Sequence, residues 1–89
     1  MSATVIVYSS ANCPFCDRAK QLLDAKQIEY TVHRIDNDPE QFAQMQRLCN
    51  NARTVPQILI NNQPIGGFDD LKALEQAGKL DELLNQPGD

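Results

Sequence analysis

Basic charge is scarce in this 89-residue chain: eight Lys and Arg stand against twelve Asp and Glu, for a net charge of -4. Binding nucleic acid or an anionic membrane requires a basic face that neutralises phosphate, and eight scattered cations do not make one. Long apolar runs are also lacking. Near the N-terminus only Val5-Ile6-Val7 is continuously apolar, with no basic residue before it and no small-residue cleavage pattern after it. Neither a signal peptide nor a membrane anchor is expected. Metal ligands are few as well. A closed zinc site needs four, and Cys13 and Cys16 would have only Cys49 and His33 to complete it, so no metal is expected.

What is present is an ordinary globular balance of 42% hydrophobic and 22% charged residues, which excludes a disordered or fibrous chain. The length suits one domain over residues 1–89, with a polar tail at 85–89 expected to be flexible. Three cysteines without a secretion signal point to the reducing cytoplasm. There, a Cys-x-x-Cys pair is more often catalytic or metal-binding than a staple.

That pair is Cys13-Pro14-Phe15-Cys16, placed where a hydrophobic run ends and a helical pattern begins. Two thiols at this spacing can close a small disulfide ring and reopen it without unfolding the domain. The amides of a first helical turn have no intrahelical partners and carry about half a positive charge, which favours a thiolate at Cys13.

Thr4 to Ser9 reads as a short buried central strand, and Pro14 to about Lys26 as a helix with Phe15, Ala19, Leu22 and Leu23 at helical spacing. Tyr30 to Ile35 follows as a strand, parallel to the first through a right-handed crossover. Asn37-Asp38-Pro39-Glu40 starts a second helix, with Phe42, Met45, Leu48 and Cys49 on one face. Gln57 to Ile60, Asn61-Asn62 and Gln63 to Ile65 form a hairpin, and Pro64 confines its second strand to an edge. Gly66-Gly67 turns into a third helix capped by Asp69 or Asp70, which Gly78 stops before a last turn at Leu80 to Leu84. The order β-α-β-α-β-β-α predicts an α/β fold, a four-stranded mixed sheet with helices on both faces.

Taken together, CPFC after the first strand, Thr54-Val55-Pro56 before the third and Gly66-Gly67-Phe68-Asp69-Asp70 after the hairpin resemble the glutaredoxins of the small dithiol class. The resemblance spans nearly the whole chain, and Phe15 departs from the usual CPYC by one hydroxyl. It implies a thioredoxin-like fold and a glutathione-dependent thiol–disulfide oxidoreductase, with glutathione as co-substrate. By the same resemblance Cys13 is the nucleophile and Cys16 the more buried resolving thiol. Thr54, Val55 and Pro56 would lie opposite them, Pro56 as the family's cis-proline and Val55 pairing its backbone with glutathione. Gly67, Phe68 and Asp69 would receive the γ-glutamyl end, and the Phe15 ring would line the groove.

Many dithiol members carry a lysine three residues before the nucleophile, where this chain has Ser10. Arg53 is the nearest cation in sequence to bind the glycyl carboxylate in its place. Asp17, beside Cys16, would oppose thiolate formation if it lies close. Cys49 reads as a buried core residue and His33 as exposed scaffold.

The implied mechanism needs Cys13 alone for glutathione mixed disulfides and both cysteines for protein disulfides. Glutaredoxin potentials of about -200 to -230 mV let a glutathione pool recharge the protein. The absence of tryptophan and of a Gly-Pro centre between the cysteines argues against thioredoxin itself. Two alternatives are a redoxin reduced by thioredoxin reductase and an iron–sulfur or metal-binding module. The expected partners are glutathione and glutathionylated or disulfide-containing proteins, met by a monomer serving cell redox homeostasis.

Overall fold

The computed structural model describes residues 3–86. Eight elements follow in order: β1 (Val5–Ser9), α1 (Pro14–Ala25), β2 (Thr31–Arg34), α2 (Pro39–Leu48), β3 (Gln57–Ile60), β4 (Gln63–Gly66), α3 (Phe68–Gln76) and α4 (Leu80–Leu84). The strands form one sheet in the order β2-β1-β3-β4. β1 pairs parallel with β2 and antiparallel with β3, and β4 runs antiparallel to β3 at the edge where Pro64 was expected.

Side chains alternate between the two faces of a strand, and the core divides accordingly. Val5, Val7, Ile58 and Ile60 face Ala19 and Leu23 of α1, Leu71 of α3, and Leu80 and Leu84 of α4. Tyr8 and Leu59 face Met45 of α2 and Cys49 at its end. Helices therefore cover both faces, three on one and α2 alone on the other. The Tyr8 hydroxyl donates to Gln44 Oε1 at 2.8 Å, tying α2 to the sheet.

Helix ends follow the local chemistry. Asp38 caps α2 by accepting from the Gln41 amide at 3.2 Å. Gly78, at φ 72°, ends α3 as its amide and that of Lys79 donate to the Glu75 and Leu74 carbonyls. Asn61 and Asn62, at φ 51° and 66°, make the two-residue hairpin turn.

Two details differ from the sequence reading. Neither Asp69 nor Asp70 is the cap of α3: the helix begins earlier, with Gly67 at the cap position. Asp70 instead accepts from the Gly67 amide at 3.1 Å, the reaching-back half of a capping box. Leu80–Leu84 is a helix rather than a turn, because burial of Leu80 and Leu84 stabilises it. In the stretch read as the tail, the Gln86 carbonyl accepts from Asn61 Nδ2 at 3.2 Å. The remaining tail positions, 87–89, lie outside the described residues.

Candidate active site

The register of the sheet decides which distant segments meet. Tyr8 near the end of β1 pairs with Gln57 at the start of β3, and Gly66 at the end of β4 pairs with Ile58. The connection into α1, the segment before β3 and the start of α3 therefore emerge at one end of the sheet. Those are the three motifs singled out in the sequence.

Cys13 is the N-cap residue of α1, in extended conformation at φ -116° and ψ 96°. Its sulfur accepts from the Cys16 amide at 3.2 Å, the place a capping oxygen usually takes. Pro14 fills the first helical position, where its missing N–H leaves nothing unpaired. Cys13 and Cys16 are joined as a disulfide, with their Cα atoms 5.2 Å apart. Cys13 is half-buried and Cys16 fully buried. An incoming reagent thus meets the Cys13 sulfur first.

Across from the disulfide lies the Thr54–Pro56 segment. The Val55–Pro56 bond is cis, and the Val55 carbonyl oxygen is 3.8 Å from Cys13 Sγ. Beside it, the start of α3 leaves the amides of Phe68, Asp69 and Asp70 without intrahelical partners. Phe15, Thr54, Val55, Pro56, Gln57, Gly67, Phe68, Asp69 and Asp70 line a groove of about 300 Å³ between these segments. The Phe15 ring is 51% exposed, so it forms a rim rather than a core contact. It stands 6.2 Å from the Phe68 ring and carries the Arg18 guanidinium at 5.2 Å. Arg18 thereby places a cation on the rim.

Of the residues expected at the site, the structure brings Phe15, Thr54, Val55, Pro56, Gly67, Phe68 and Asp69 together around the groove beside the two cysteines. Arg53 is exposed immediately before Thr54, outside the groove lining. Gln57 and Asp70 line the groove without having been expected there. The signal for Gln57 was a polar residue opening an otherwise apolar strand. Asp70 had been read only as a cap.

The remaining candidates lie elsewhere. Cys49 is buried in the α2-side core, where burial pushes its thiol pKa up. His33 is half-buried, its ring 5.5 Å from that of Tyr8. Among the described residues no three of His, Cys, Asp and Glu converge as a metal site.

A four-stranded mixed sheet flanked by helices, with a Cys-x-x-Cys disulfide at the start of α1 facing a cis-proline segment, defines a dithiol redox protein of thioredoxin-like architecture. Residues 5–65 match the glutaredoxin family model. The chain is 46% identical over 85 residues to a probable glutaredoxin of Synechocystis sp. (strain PCC 6803), covering 96% of this chain and 97% of that one. It is 48% identical over 81 residues to a glutaredoxin of Pseudomonas aeruginosa, covering 91% and 95%. The solution structure of glutaredoxin from Brucella melitensis superposes with a TM-score of 0.80 at 44% identity, over 93% of this chain and 89% of that one. The crystal structure of a buckwheat glutaredoxin–glutathione complex gives 0.81 at 28% identity, over 92% and 76%. The chain belongs to the glutaredoxin family, in its small dithiol class, and is a thiol–disulfide oxidoreductase.

Proposed function

We propose that the electron donor is glutathione and that the substrates are glutathione mixed disulfides and protein disulfides. The carrying observation is the groove beside the disulfide, lined by the Thr54–Pro56 segment and by the helix start at Gly67–Asp69. A γ-glutamyl tripeptide presents the complementary groups, a peptide backbone, a terminal carboxylate and an ammonium. Val55 pairs with the backbone, the free amides of α3 meet the γ-glutamyl carboxylate, and Asp69 faces the ammonium. Phe15 and Phe68 cover the apolar part, and Arg53 reaches the glycyl carboxylate from the groove entrance. The buckwheat relative of known structure is a glutathione complex, which supports the same ligand here.

In the reduced protein the Cys16 amide and the start of α1 stabilise the Cys13 thiolate. That thiolate attacks the glutathionyl sulfur of a mixed disulfide, forming a Cys13–glutathione bond while the substrate leaves as a thiolate and takes up a proton. A second glutathione thiolate attacks the glutathionyl sulfur, releasing oxidised glutathione and regenerating Cys13. With a protein disulfide, Cys13 forms the mixed disulfide and Cys16 displaces the substrate thiolate, leaving the Cys13–Cys16 bridge for two glutathione molecules to reduce. The reading treats residues 1–89 as one domain acting as a monomer. It sets that domain in the cytoplasm, where the glutathione pool is reducing enough to recharge it.

The test is a glutathione- and glutathione reductase-coupled assay on a low-molecular-weight glutathione mixed disulfide. Wild type should turn over with saturation, and Cys13→Ser should not. Turnover by Cys13→Ser, or turnover supported by thioredoxin reductase but not by glutathione, would overturn the reading.

A further inference from the structure

We propose that Gln57 is a positioning residue: it fixes the Thr54–Val55 peptide so that the Val55 N–H is presented to the substrate. The inference rests on the glutathione reading and deepens it.

Gln57 and Ser9 are the only buried polar side chains among the described residues, and Gln57 is 9% exposed. The rest of β3, Ile58, Leu59 and Ile60, is fully buried and apolar. An apolar side chain would suit the strand equally well, and a buried carboxamide is unfavourable unless it is hydrogen-bonded. Gln57 makes that bond three residues back, Nε2 donating to the Thr54 carbonyl at 3.1 Å. The side chain thus closes a loop around Val55 and Pro56.

Peptide geometry carries the consequence. The carbonyl of Thr54 and the N–H of Val55 belong to one planar trans unit and point in opposite directions. Anchoring the carbonyl on Gln57 therefore turns the Val55 N–H away from that anchor. This N–H has no hydrogen-bond partner among the described residues. Val55 itself lines the groove, and its carbonyl stands 3.8 Å from Cys13 Sγ. A donor held ready beside the reactive sulfur is what strand-like pairing with a peptide requires, and preorganising it lowers the cost of binding. Gln57 acts through this peptide rather than on the sulfur.

The experiment compares second-order rates of the reduced protein with glutathione disulfide and with bis(2-hydroxyethyl) disulfide, which has no peptide backbone to pair. Gln57→Leu removes the donor at similar volume. Gln57→Glu keeps the shape but presents a carboxylate, which has no N–H to donate and repels the Thr54 carbonyl.

Both variants should react about five- to tenfold more slowly with glutathione disulfide, the usual loss for one hydrogen bond, and within about twofold of wild type with the hydroxyethyl compound. As pH falls towards the ordinary glutamate value of about 4.3, Gln57→Glu should regain a donor and its deficit relative to wild type should shrink. A merely structural role predicts no such recovery. Equal slowing on both disulfides, or a wild-type preference for glutathione disulfide that Gln57→Glu retains, overturns this inference alone. A wild type with no preference between the disulfides overturns the glutathione reading and the inference with it.

Discussion

Gly66→Ala should be among the most damaging single-methyl additions to this protein, although Gly66 is only half-buried. Gly66 ends β4 at φ 115°, after the bulge between the Ile58 and Leu59 pairings, in a region side chains rarely adopt. Backbone strain of that kind costs about 1–3 kcal/mol. The new methyl would also overlap the Asp70 carboxylate, which reaches back from inside α3 to accept from the Gly67 amide at 3.1 Å. Asp70 is exposed and can swing into solvent, so the overlap is relieved at the loss of that hydrogen bond, about 1 kcal/mol.

The sum is about 2–4 kcal/mol, a large part of the ~5–15 kcal/mol that stabilises a small domain. At ~4–8 °C per kcal/mol for this size, the melting temperature should fall by about 10–30 °C. Urea denaturation of the reduced protein would measure it alongside Asp70→Ala and the double variant. Asp70→Ala alone should cost about 1 kcal/mol, and Gly66→Ala should cost about 1 kcal/mol less in that background, where no carboxylate remains to displace. A cost for Gly66→Ala below about 0.5 kcal/mol, or strict additivity in the double variant, would refute the reasoning.

Four further outcomes are expected. Cys16→Ser keeps the backbone amide that donates to Cys13 Sγ. It should therefore retain turnover of a glutathione mixed disulfide within about threefold while losing reduction of a protein disulfide; equal loss of both would contradict the division of labour. Arg53→Ala should raise the KM for a glutathione mixed disulfide about threefold or more with kcat little changed, and an unmoved KM would return Arg53 to the solvent. Cys49 is 5% exposed with its thiol pushed up by burial, so alkylation of the reduced protein, followed by mass spectrometry, should label Cys13 well before it. Equal labelling in the absence of denaturant would contradict that burial. Asp36 is held down to about 2 by its hydrogen bonds from the Arg34 guanidinium, Nε lying 2.8 Å from Oδ1. Its contribution to stability is present above the unfolded value of about 3.9 and is lost as pH falls through about 2. A carboxyl titration should show a midpoint near 2 that rises towards 3.9 in Arg34→Gln, and an ordinary midpoint in wild type would exclude the interaction.

Much of the fold was legible in the sequence because its signals are local. Strand alternation at Val5 to Ser9, the cap and proline at Asp38-Pro39, the Asn61-Asn62 turn and the Gly78 stop each act within a few residues. Asparagine shows the limit of such reading. Six of the seven asparagines adopt positive φ, yet only the Asn61-Asn62 pair was read as a turn. Asn12, Asn37, Asn50 and Asn51 signalled nothing of their conformation in the sequence. The cap of α3 was misjudged for a related reason. Asp at a cap and Asp three residues inside the helix look alike in sequence, and only the packed Gly66–Asp70 corner separates them.

By itself the sequence determined the pair of thiols, their place at a helix start and the order of the elements, because spacing and capping chemistry are properties of neighbouring residues. Tertiary structure alone decided which distant segments face the thiols. The antiparallel register of β1 with β3 brings Cys13 within 3.8 Å of the Val55 carbonyl, 42 residues away. It also decided that the Phe15 ring meets the Phe68 ring and shares a groove with Thr54 to Pro56. Those contacts depend on how strands pair and side chains pack, and no window along the chain contains them.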